Sequence, residues 1–459
     1  MTSDLHLHLI NRLSYGLRPS EWDQLQSQSV DSYLYQQLHP ETLSDPPALQ
    51  RELADLSTLS LSPIALFAQY HITRKQREEA TPDELKKLRA RSREPLLEAI
   101  QGRLSRAIHS PRQLQEVMVN FWFNHFNVSA GKGLTRFWIG AYEEQAIRPH
   151  VFGNFRDLLG AVARHPAMLF YLDNWLNTDP NSRGARGRFK GLNENYAREL
   201  LELHTLGVDG GYTQADVVSL ARILTGWGIV RRGKRGDGSG FYFYKSRHDY
   251  SDKVFLGNTI KGSGISEVEQ VLDILATHPA TAKHLSYKLA QYFLSDDPPE
   301  TLVNRLAERF LASQGEIRQL LQLLFESSEF RDRQFYGSKF RTPYEYLLAL
   351  LRTTEINPPD SRRLRGMLGQ MGMPLYACRT PKGYPHTQEA WLSSDAMIKR
   401  ITLATRFMGW FFKEKKKADP NLLKLGISKF SEHSKTAINS SPPRLRVALL
   451  LGSPEMMYH

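Results

Sequence analysis

The sequence predicts an all-α protein, with one large multi-helical single domain and a minor β-hairpin near 241–257. Apolar residues recur at helical spacing along most of the chain, beginning with Leu5, Leu9 and Leu13. Convincing strand-like alternation occurs only within FYFYKSRHDYSDKVFLGNTI, residues 241–260. Hydrophobic residues make up 41% and aromatic residues 10% of the 459 positions, which is enough for a sizeable core.

The predicted helices follow one another without a clean boundary, so residues 1–459 are interpreted as one helical domain. Residues 72–94 are densely charged with mixed sign, which is typical of a solvated helical hairpin. Residues 193–228 form the central motif, and residues 413–459 a basic C-terminal helical segment. In the β-hairpin, the alternating residues from Phe241 should pair with 254–256, and His248-Asp249 should lie in the connection.

Composition and charge limit the kinds of site, location and partner to be expected. The single cysteine, Cys378, allows neither a disulfide framework nor a thiolate metal site. No apolar run reaches the length of about 18 residues that a membrane span requires. The N-terminal residues show no signal-peptide pattern, so we expect a cytoplasmic protein. The net charge of +12 indicates attraction to an anionic partner.

The central motif reads NENYARELLELHTLGVDGGYTQADVVSLARILTGWG and predicts two helices joined by a glycine turn. Asn193 is a good N-cap for the first helix, and Gly207 suits its C-terminal end. Thr213 and Asp216 resemble a capping box at the start of the second helix.

The first of these helices should place four polar residues on one arc: Asn195, Arg198, Glu199 and Glu202. Carboxylates three residues apart are neighbours on a helix surface, and like charges at that distance raise a pKa. The pair therefore suits acid–base chemistry or metal binding. The alternative is a solvated face on which Arg198 neutralises Glu202.

Other candidates are polar residues set among aromatic or glycine-rich stretches. Asn124 and His125 end a helix in FWFNHFNV, where a histidine can equally be a hydrogen-bonded structural residue. His248 and Asp249 could be an oriented base or metal ligands. Two basic loops, 181–190 and 231–240, flank the central pair of helices and form either a cationic rim or solvated connections.

Several blocks, in this order and spacing, resemble the bacterial family known as "domain of unknown function 1800": FWFNHFNV, HPAMLFYLDN, the central motif, HDYSDKVFLG and HPATAKHLSYKL. The resemblance implies a largely helical fold but no established activity. It also implies frequent secretion, and a possible partner protein related to sulfatases or alkaline phosphatases. This chain departs from the family pattern in lacking an export signal and in reading RTPKGYPH near its last loop.

The polar residues inside these blocks favour a functional site, because core packing needs apolar side chains. The first hypothesis is a hydrolase-like enzyme acting on an anionic or polyhydroxylated, glycan-like substrate. Its catalytic candidates are Glu199, Glu202, His125, His248 and Asp249. Its substrate-binding candidates are Asn124, Asn195, Arg198, Arg222, Arg183, Arg186 and Arg231.

A metal-assisted version of this hypothesis uses the catalytic candidates as nitrogen and oxygen ligands for a divalent transition metal such as Zn²⁺, Mn²⁺ or Fe²⁺. The second hypothesis is a non-catalytic polyanion-binding protein. The third, nucleic-acid binding, ranks lowest because the basic residues are not part of a recognisable module.

Overall fold

The computed structural model describes residues 4–230, 237–357, 360–414 and 430–459. Helices account for most of the described chain, which confirms the predicted all-α class. The α-helices before the central motif are α1 Asp4–Leu13, α2 Trp22–Ser27, α3 Val30–Leu38, α4 Pro47–Asp55, α5 Pro63–Tyr70, α6 Arg74–Glu79, α7 Pro82–Arg91, α8 Glu94–His109, α9 Gln113–His125, α10 Thr135–Ala141, α11 Phe155–Arg164 and α12 Pro166–Tyr171.

The later part of the chain is also mainly helical. Its α-helices are α13 Asn195–Glu199, α14 Gln214–Ile223, α15 Ile265–Ala276, α16 Pro279–Phe293, α17 Glu300–Ala312, α18 Ile317–Glu326, α19 Ser328–Arg331, α20 Pro343–Thr354, α21 Ser361–Gln370, α22 Gln388–Trp391, α23 Ser394–Glu414, α24 Glu432–Ser440 and α25 Pro443–Gly452. Short 3₁₀ turns are Pro19–Glu21, Pro40–Thr42, Ser57–Ser60, Arg148–His150, Asn174–Leu176, Lys245–Arg247, Arg333–Phe335 and Pro454–Met457.

Two π-helical turns, Tyr142–Ile147 and Leu200–His204, interrupt this pattern. The first continues α10, and the second continues α13 inside the central motif.

The charged stretch 72–94 is helical as expected, and Thr73 and Thr81 form capping boxes at the starts of α6 and α7.

The core surrounds two helices, α9 and α20. Every residue of α20 is buried, as expected for a helix that packs against neighbours on all sides. Almost all of α9 is buried too, including Phe121 and Trp122. The C-terminal end of α9 therefore carries Asn124 and His125 into the interior of the molecule rather than to its surface.

A buried ion network joins α8, α9 and the π-turn Tyr142–Ile147. Arg103 donates to Glu143 at 2.8 Å and to Asn120 Oδ1 at 2.7 Å. Arg148 makes a two-bonded contact with Glu116, at 2.6 and 3.0 Å. Such paired charges tolerate burial only because each ion keeps its partner.

The strands form two separate two-stranded antiparallel sheets. Strand β1 (Trp227–Ile229) pairs with β2 (Phe241–Phe243), and β3 (Lys253–Phe255) pairs with β4 (Asn258–Ile260). The predicted strand segments exist, but they do not pair with each other. Leu256 and Gly257 have positive φ and make a tight turn between β3 and β4, so β3 pairs with the strand that follows it directly.

Within the described ranges, no helix combines the length and the apolar character needed to cross a membrane. Of the predicted basic C-terminal segment, residues 415–429 lie outside the described residues. Helix α25 packs on the long helix α23.

The buried ion network gives a test of the core. Glu143→Gln should lower the free energy of unfolding by about 3–5 kcal/mol, because Arg103 then keeps its charge in the core without an anionic partner. Urea denaturation at neutral pH measures this. The control is Glu300→Gln in the exposed pair with Lys283, which should change it by less than about 1 kcal/mol. Equal losses in the two variants would contradict this role for the network.

Candidate functional site

The central motif contains a π-helical turn that its residue pattern does not predict. Helix α13 runs directly into the turn Leu200–His204, and the hydroxyl of Thr205 donates to Leu200 O at 2.6 Å. The helical segment ends at His204, three residues before the predicted Gly207, which has a φ of +83° and donates its amide to Leu201 O at 3.2 Å. Turns of this type are rare and occur often at functional sites.

Of the two predicted caps of the motif, the second is confirmed. The first helix has Glu194 at its N-cap, without a side-chain cap bond, and Asn193 one residue earlier accepts the amide of Asn195 at 3.0 Å. Thr213 and Asp216 form a reciprocal capping box at the start of α14. Asp216 also accepts the amide of Leu256 at 2.8 Å, so this carboxylate fastens the β3–β4 turn to α14.

The π-turn divides the motif into an outer and an inner face. Glu199 and Glu202 lie half-buried on the outer face. His204 lies on the inner face and is completely buried. The carboxylate pair and the histidine therefore lie in different surroundings.

The outer face has a perturbed carboxyl group. Burial, and next the negative charge of Glu202, raise the pKa of Glu199, while Arg198 acts in the opposite direction. Arg198 forms its ion pair with Glu194, at 3.2 Å, and donates to Gln214 at 3.0 Å. The alternative in which Arg198 neutralises Glu202 is therefore not the arrangement observed.

Two tyrosines flank the carboxylate pair. Burial raises the pKa of Tyr171, and the charge of Glu199 contributes to that shift. Burial and the charges of Glu202 and Glu199 act in the same way on Tyr212. The hydroxyl of Tyr171 donates to Arg379 O at 2.7 Å, which brings the loop 372–387 close to this face.

His125 occupies the inner face. Its Nε2 lies 3.1 Å from His204 O, and its Nδ1 lies 2.9 Å from Lys288 Nζ. Burial and the positive charge of Lys288 hold the pKa of His125 well below its usual range, so the ring is neutral. Because a carbonyl oxygen only accepts, Nε2 carries the proton and Nδ1 accepts a hydrogen bond from Lys288.

More ionisable groups surround this histidine than the sequence suggests. Burial and the charge of Lys288 lower the pKa of His204 to about 3 and that of His284 to about 4. Lys288 itself has a pKa lowered to about 8, by burial and by the positive charge of Lys382. We call His125, His204, His284, Lys288 and His386 the histidine–lysine cluster.

Asn124 connects this cluster to the loop 372–387. Its Nδ2 donates to Tyr384 O and to His386 Nε2, each at 2.8 Å, and its Oδ1 accepts the Tyr384 amide at 2.7 Å. Gly383 lies so close that a Cβ there would stand 2.3 Å from Asn124 O. All polar atoms of the Asn124 amide are thus occupied in holding the loop.

His248 lies in a different buried cluster. Its Nε2 contacts Glu267 Oε1 at 2.8 Å, and Lys253 donates to Glu267 Oε2 at 2.6 Å. All three side chains are completely buried. The other ring nitrogen of His248 lies 2.8 Å from Thr225 O, so the imidazole fastens β3 and α15 to the end of α14.

Asp249 and Arg222 bind each other rather than an open cavity. Arg222 Nε donates to Asp249 Oδ2 at 2.7 Å, and Ser251 donates to Asp249 Oδ1 at 2.6 Å. Burial acts to raise the pKa of Asp249, but the hydrogen bonds from Ser251 and Arg222 leave it lowered. No contact joins this pair to Glu199 or His125 in the described structure.

The remaining substrate-binding candidates lie near the loop before α13. Asn195 donates to Leu172 O at 3.2 Å. Arg183 and Arg186 are exposed, and their neighbour Arg188 stacks on Trp175 with 4.5 Å between the guanidinium carbon and the ring centre. Arg231 lies outside the described residues.

The five catalytic candidates therefore fall into three places: the outer face with Glu199 and Glu202, the inner face with His125, and the separate cluster with His248 and Asp249. Across residues 4–230, 237–357, 360–414 and 430–459, no three His, Cys, Asp or Glu side chains are placed to hold a metal ion together.

Sequence reasoning did not select His284, Lys288, Lys382 or His386. His284 and Lys288 are four residues apart in HPATAKHLSYKL, which places them on one helix face. That spacing, together with the histidine in GYPH, was the only sequence signal that these residues could form a cluster. It was weak, because the loop comes about 90 residues after α16 in the sequence.

A family model described as "Protein of unknown function (DUF1800)" matches residues 8–458. The chain belongs to this family. No curated protein and no solved structure matches it. Three of the segments recognised in the DUF1800 chain, FWFNHFNV, the central motif and HPATAKHLSYKL, meet at His125.

The charge of Glu199 predicts a pH-dependent stability. Its pKa is raised in the folded state, so its ionisation destabilises the fold, and the effect grows as the pH rises from about 4. Glu199→Gln should therefore be as stable as the parent or more stable at pH 7, and this advantage should vanish near pH 4. Urea denaturation across this pH range measures the difference.

Asp249→Asn is the matched contrast, because its pKa is lowered. The ionised carboxylate stabilises the fold above the unfolded pKa, and this contribution is lost as the pH falls through the folded pKa. The variant should be destabilised at pH 7 and approach the parent in acid. If Glu199→Gln were destabilised in the same way, the carboxylate would be a structural partner rather than a strained group.

Proposed function

We propose that this chain is an acid–base enzyme of the hydrolase type, in which Glu199 and Glu202 handle the protons of the reaction. The observation that carries the proposal is the raised pKa of Glu199, caused by burial and by the charge of Glu202. A carboxyl group that keeps its proton closer to neutral pH can donate it to a leaving group. Neighbouring carboxyl groups in unlike environments commonly divide the acid and base roles.

The corresponding reaction is the addition of water across a bond to a leaving oxygen. Protonated Glu199 gives its proton to that oxygen as the bond to it breaks, and the electron pair of the bond moves to the same oxygen. The carboxylate of Glu202 takes a proton from water as the water oxygen bonds to the reacting carbon. His125 has both nitrogens occupied, so it serves as a positioning residue for the π-turn.

An anionic or polyhydroxylated, glycan-like substrate fits the surroundings of this pair. The loop before α13 is closed at its base, where the amide of Asn193 donates to Asn177 Oδ1 at 2.9 Å. This base is only six residues from Glu199, or roughly 10 Å along the helix. The loop presents the exposed guanidinium groups of Arg183 and Arg186, which suit carboxylate or sulfate groups on a sugar.

Polyanion binding without catalysis is the second candidate, and a specific feature favours it. The exposed guanidinium of Arg188 lies 4.5 Å from the ring centre of Trp175 and 5.3 Å from that of Phe189. Stacking of this kind holds a cationic surface rigid and lowers the entropy cost of binding an anion.

Leaving-group dependence tests the enzymatic role. A panel of neutral and uronic-acid oligosaccharides would be assayed by reducing ends, beside the matching 4-nitrophenyl glycosides. Glu199→Gln should slow release of a sugar leaving group about 10²–10⁴-fold, because that group needs protonation. It should affect release of 4-nitrophenolate far less, because that anion leaves without a proton. Glu202→Gln should slow both.

The control is Glu194→Gln, a carboxylate on the same segment that is bonded to Arg198 and Gln214 and should leave both rates unchanged. Equal rates for Glu199→Gln and the parent on a substrate that is turned over would overturn the proposal. Turnover of no substrate, together with heparin binding that Arg183→Ala/Arg186→Ala abolishes, would establish the polyanion-binding alternative instead.

A further inference from the structure

Lys288 is part-buried on α16 and differs from two fully buried lysines of the described chain. Lys253 and Lys339 are almost completely buried, and each forms an ion pair, with Glu267 and with Asp296 respectively. Lys288 donates instead to the neutral ring of His125. In the described part of the chain, Lys288 forms no ion pair with a carboxylate.

A second ammonium group lies close to the first. Lys382 is exposed, and its positive charge acts on Lys288. The chain path explains the approach: Gly383 packs against Asn124, and the next residue of α9, His125, binds Lys288. Lys382 likewise has no carboxylate within ion-pair distance among the residues described. The charge of Lys382 thus opposes the charge of Lys288, and neither has a carboxylate partner among the described residues, which is unfavourable in the free protein.

His386 contributes an unused donor. Asn124 Oδ1 accepts the Tyr384 amide, so the Nδ2 group must face His386 Nε2 and donate to it. The neutral imidazole then carries its proton on Nδ1, and this atom is buried without a partner. Burial and the charges of Lys339 and Lys288 lower the pKa of His386 to about 3, so the ring stays neutral.

We propose that Lys288, Lys382 and His386 form a binding site for a doubly charged tetrahedral oxyanion, the phosphate or sulfate group of a ligand, where α16 meets the loop 372–387. The anion supplies the charge that the two ammonium groups lack and accepts the free N–H of His386. Lys288 keeps its bond to His125 and still has two N–H groups for the anion. The site uses neither Glu199 nor Glu202, so it stands whether or not the proposed function holds.

Saturable stabilisation by phosphate tests the site. Thermal unfolding of the full chain would be followed with inorganic phosphate, sulfate and acetate, each matched in ionic strength with sodium chloride. Phosphate and sulfate should raise the midpoint beyond the salt control and saturate, because a ligand that binds only the folded state stabilises it. Acetate, with one charge, should raise it much less. Phenyl phosphate binding more tightly than inorganic phosphate would identify an ester as the natural source.

Amino-acid substitutions distinguish a specific binding site from a general effect of salt on stability. Lys382→Ala and Lys288→Met should each weaken phosphate binding by at least about tenfold. Lys288→Arg keeps the charge and should retain binding. Lys283→Ala is the control, since Lys283 lies on the same helix but pairs with Glu300. Because Lys382 is exposed, Lys382→Ala remains decisive if Lys288→Met does not fold.

Binding should also weaken as the pH rises through about 8, where Lys288 loses its charge. The other groups that face Lys288 are His125 from α9, His204 from the central motif, His284 from its own helix, and Lys382 and His386 from the loop. The histidines are already neutral there. A midpoint that rises equally with phosphate, acetate and chloride, or that rises equally in parent and Lys382→Ala, overturns the proposal and means an adventitious ion only.

Discussion

The hydrogen bond from His125 Nε2 to His204 O is the interaction on which the arrangement of the site depends. It joins the end of α9 to the end of the π-turn, and both groups are buried. Since the carbonyl fixes the proton on Nε2, the opposite nitrogen must accept, and Lys288 of α16 supplies the donor. One neutral imidazole thus connects three segments that are far apart in the chain. It also determines which way the π-turn presents its side chains.

The π-turn separates two chemical environments within one short segment. On its outer side, burial and mutual repulsion raise the pKa of Glu199. On its inner side, burial and the charge of Lys288 keep His204 neutral. A regular α-helix would continue the same spacing past Leu200 and would shift His204 O around the axis, away from His125. The contacts on the two faces of this segment therefore favour the π-turn, which helix propensity alone does not explain.

Much of the fold follows from local sequence. Helix starts such as Thr213 and Thr342 carry their caps in the sequence itself, because each is followed three residues later by the carboxylate that completes a capping box. Strand pairing was not predictable in this way, because β2 could reach either β1 or β3 at similar sequence distance, and it pairs with β1.

The site could be predicted only in part, because its members are related by contacts across hundreds of residues. Polar residues in a motif do not reveal whether their partner is a substrate or another side chain. His248 finds Glu267, and Asn124 finds the loop 372–387. Lys288 was missed since a lysine on an amphipathic helix is usually solvated. The described structure shows what the sequence does not: Lys288 has no carboxylate partner there.

The protonation state of His125 tests the account most directly. Nitrogen NMR of protein labelled with ¹⁵N-histidine, assigned with His125→Gln, reports which ring nitrogen carries the proton at each pH. The account predicts a neutral ring, protonated at Nε2, from about pH 8 down to about pH 5, because burial and Lys288 oppose a second proton. Its Nδ1 resonance should shift as Lys288 titrates near pH 8. A ring that takes up a proton near its ordinary pKa, about 6.5, or carries its proton on Nδ1, would contradict the account.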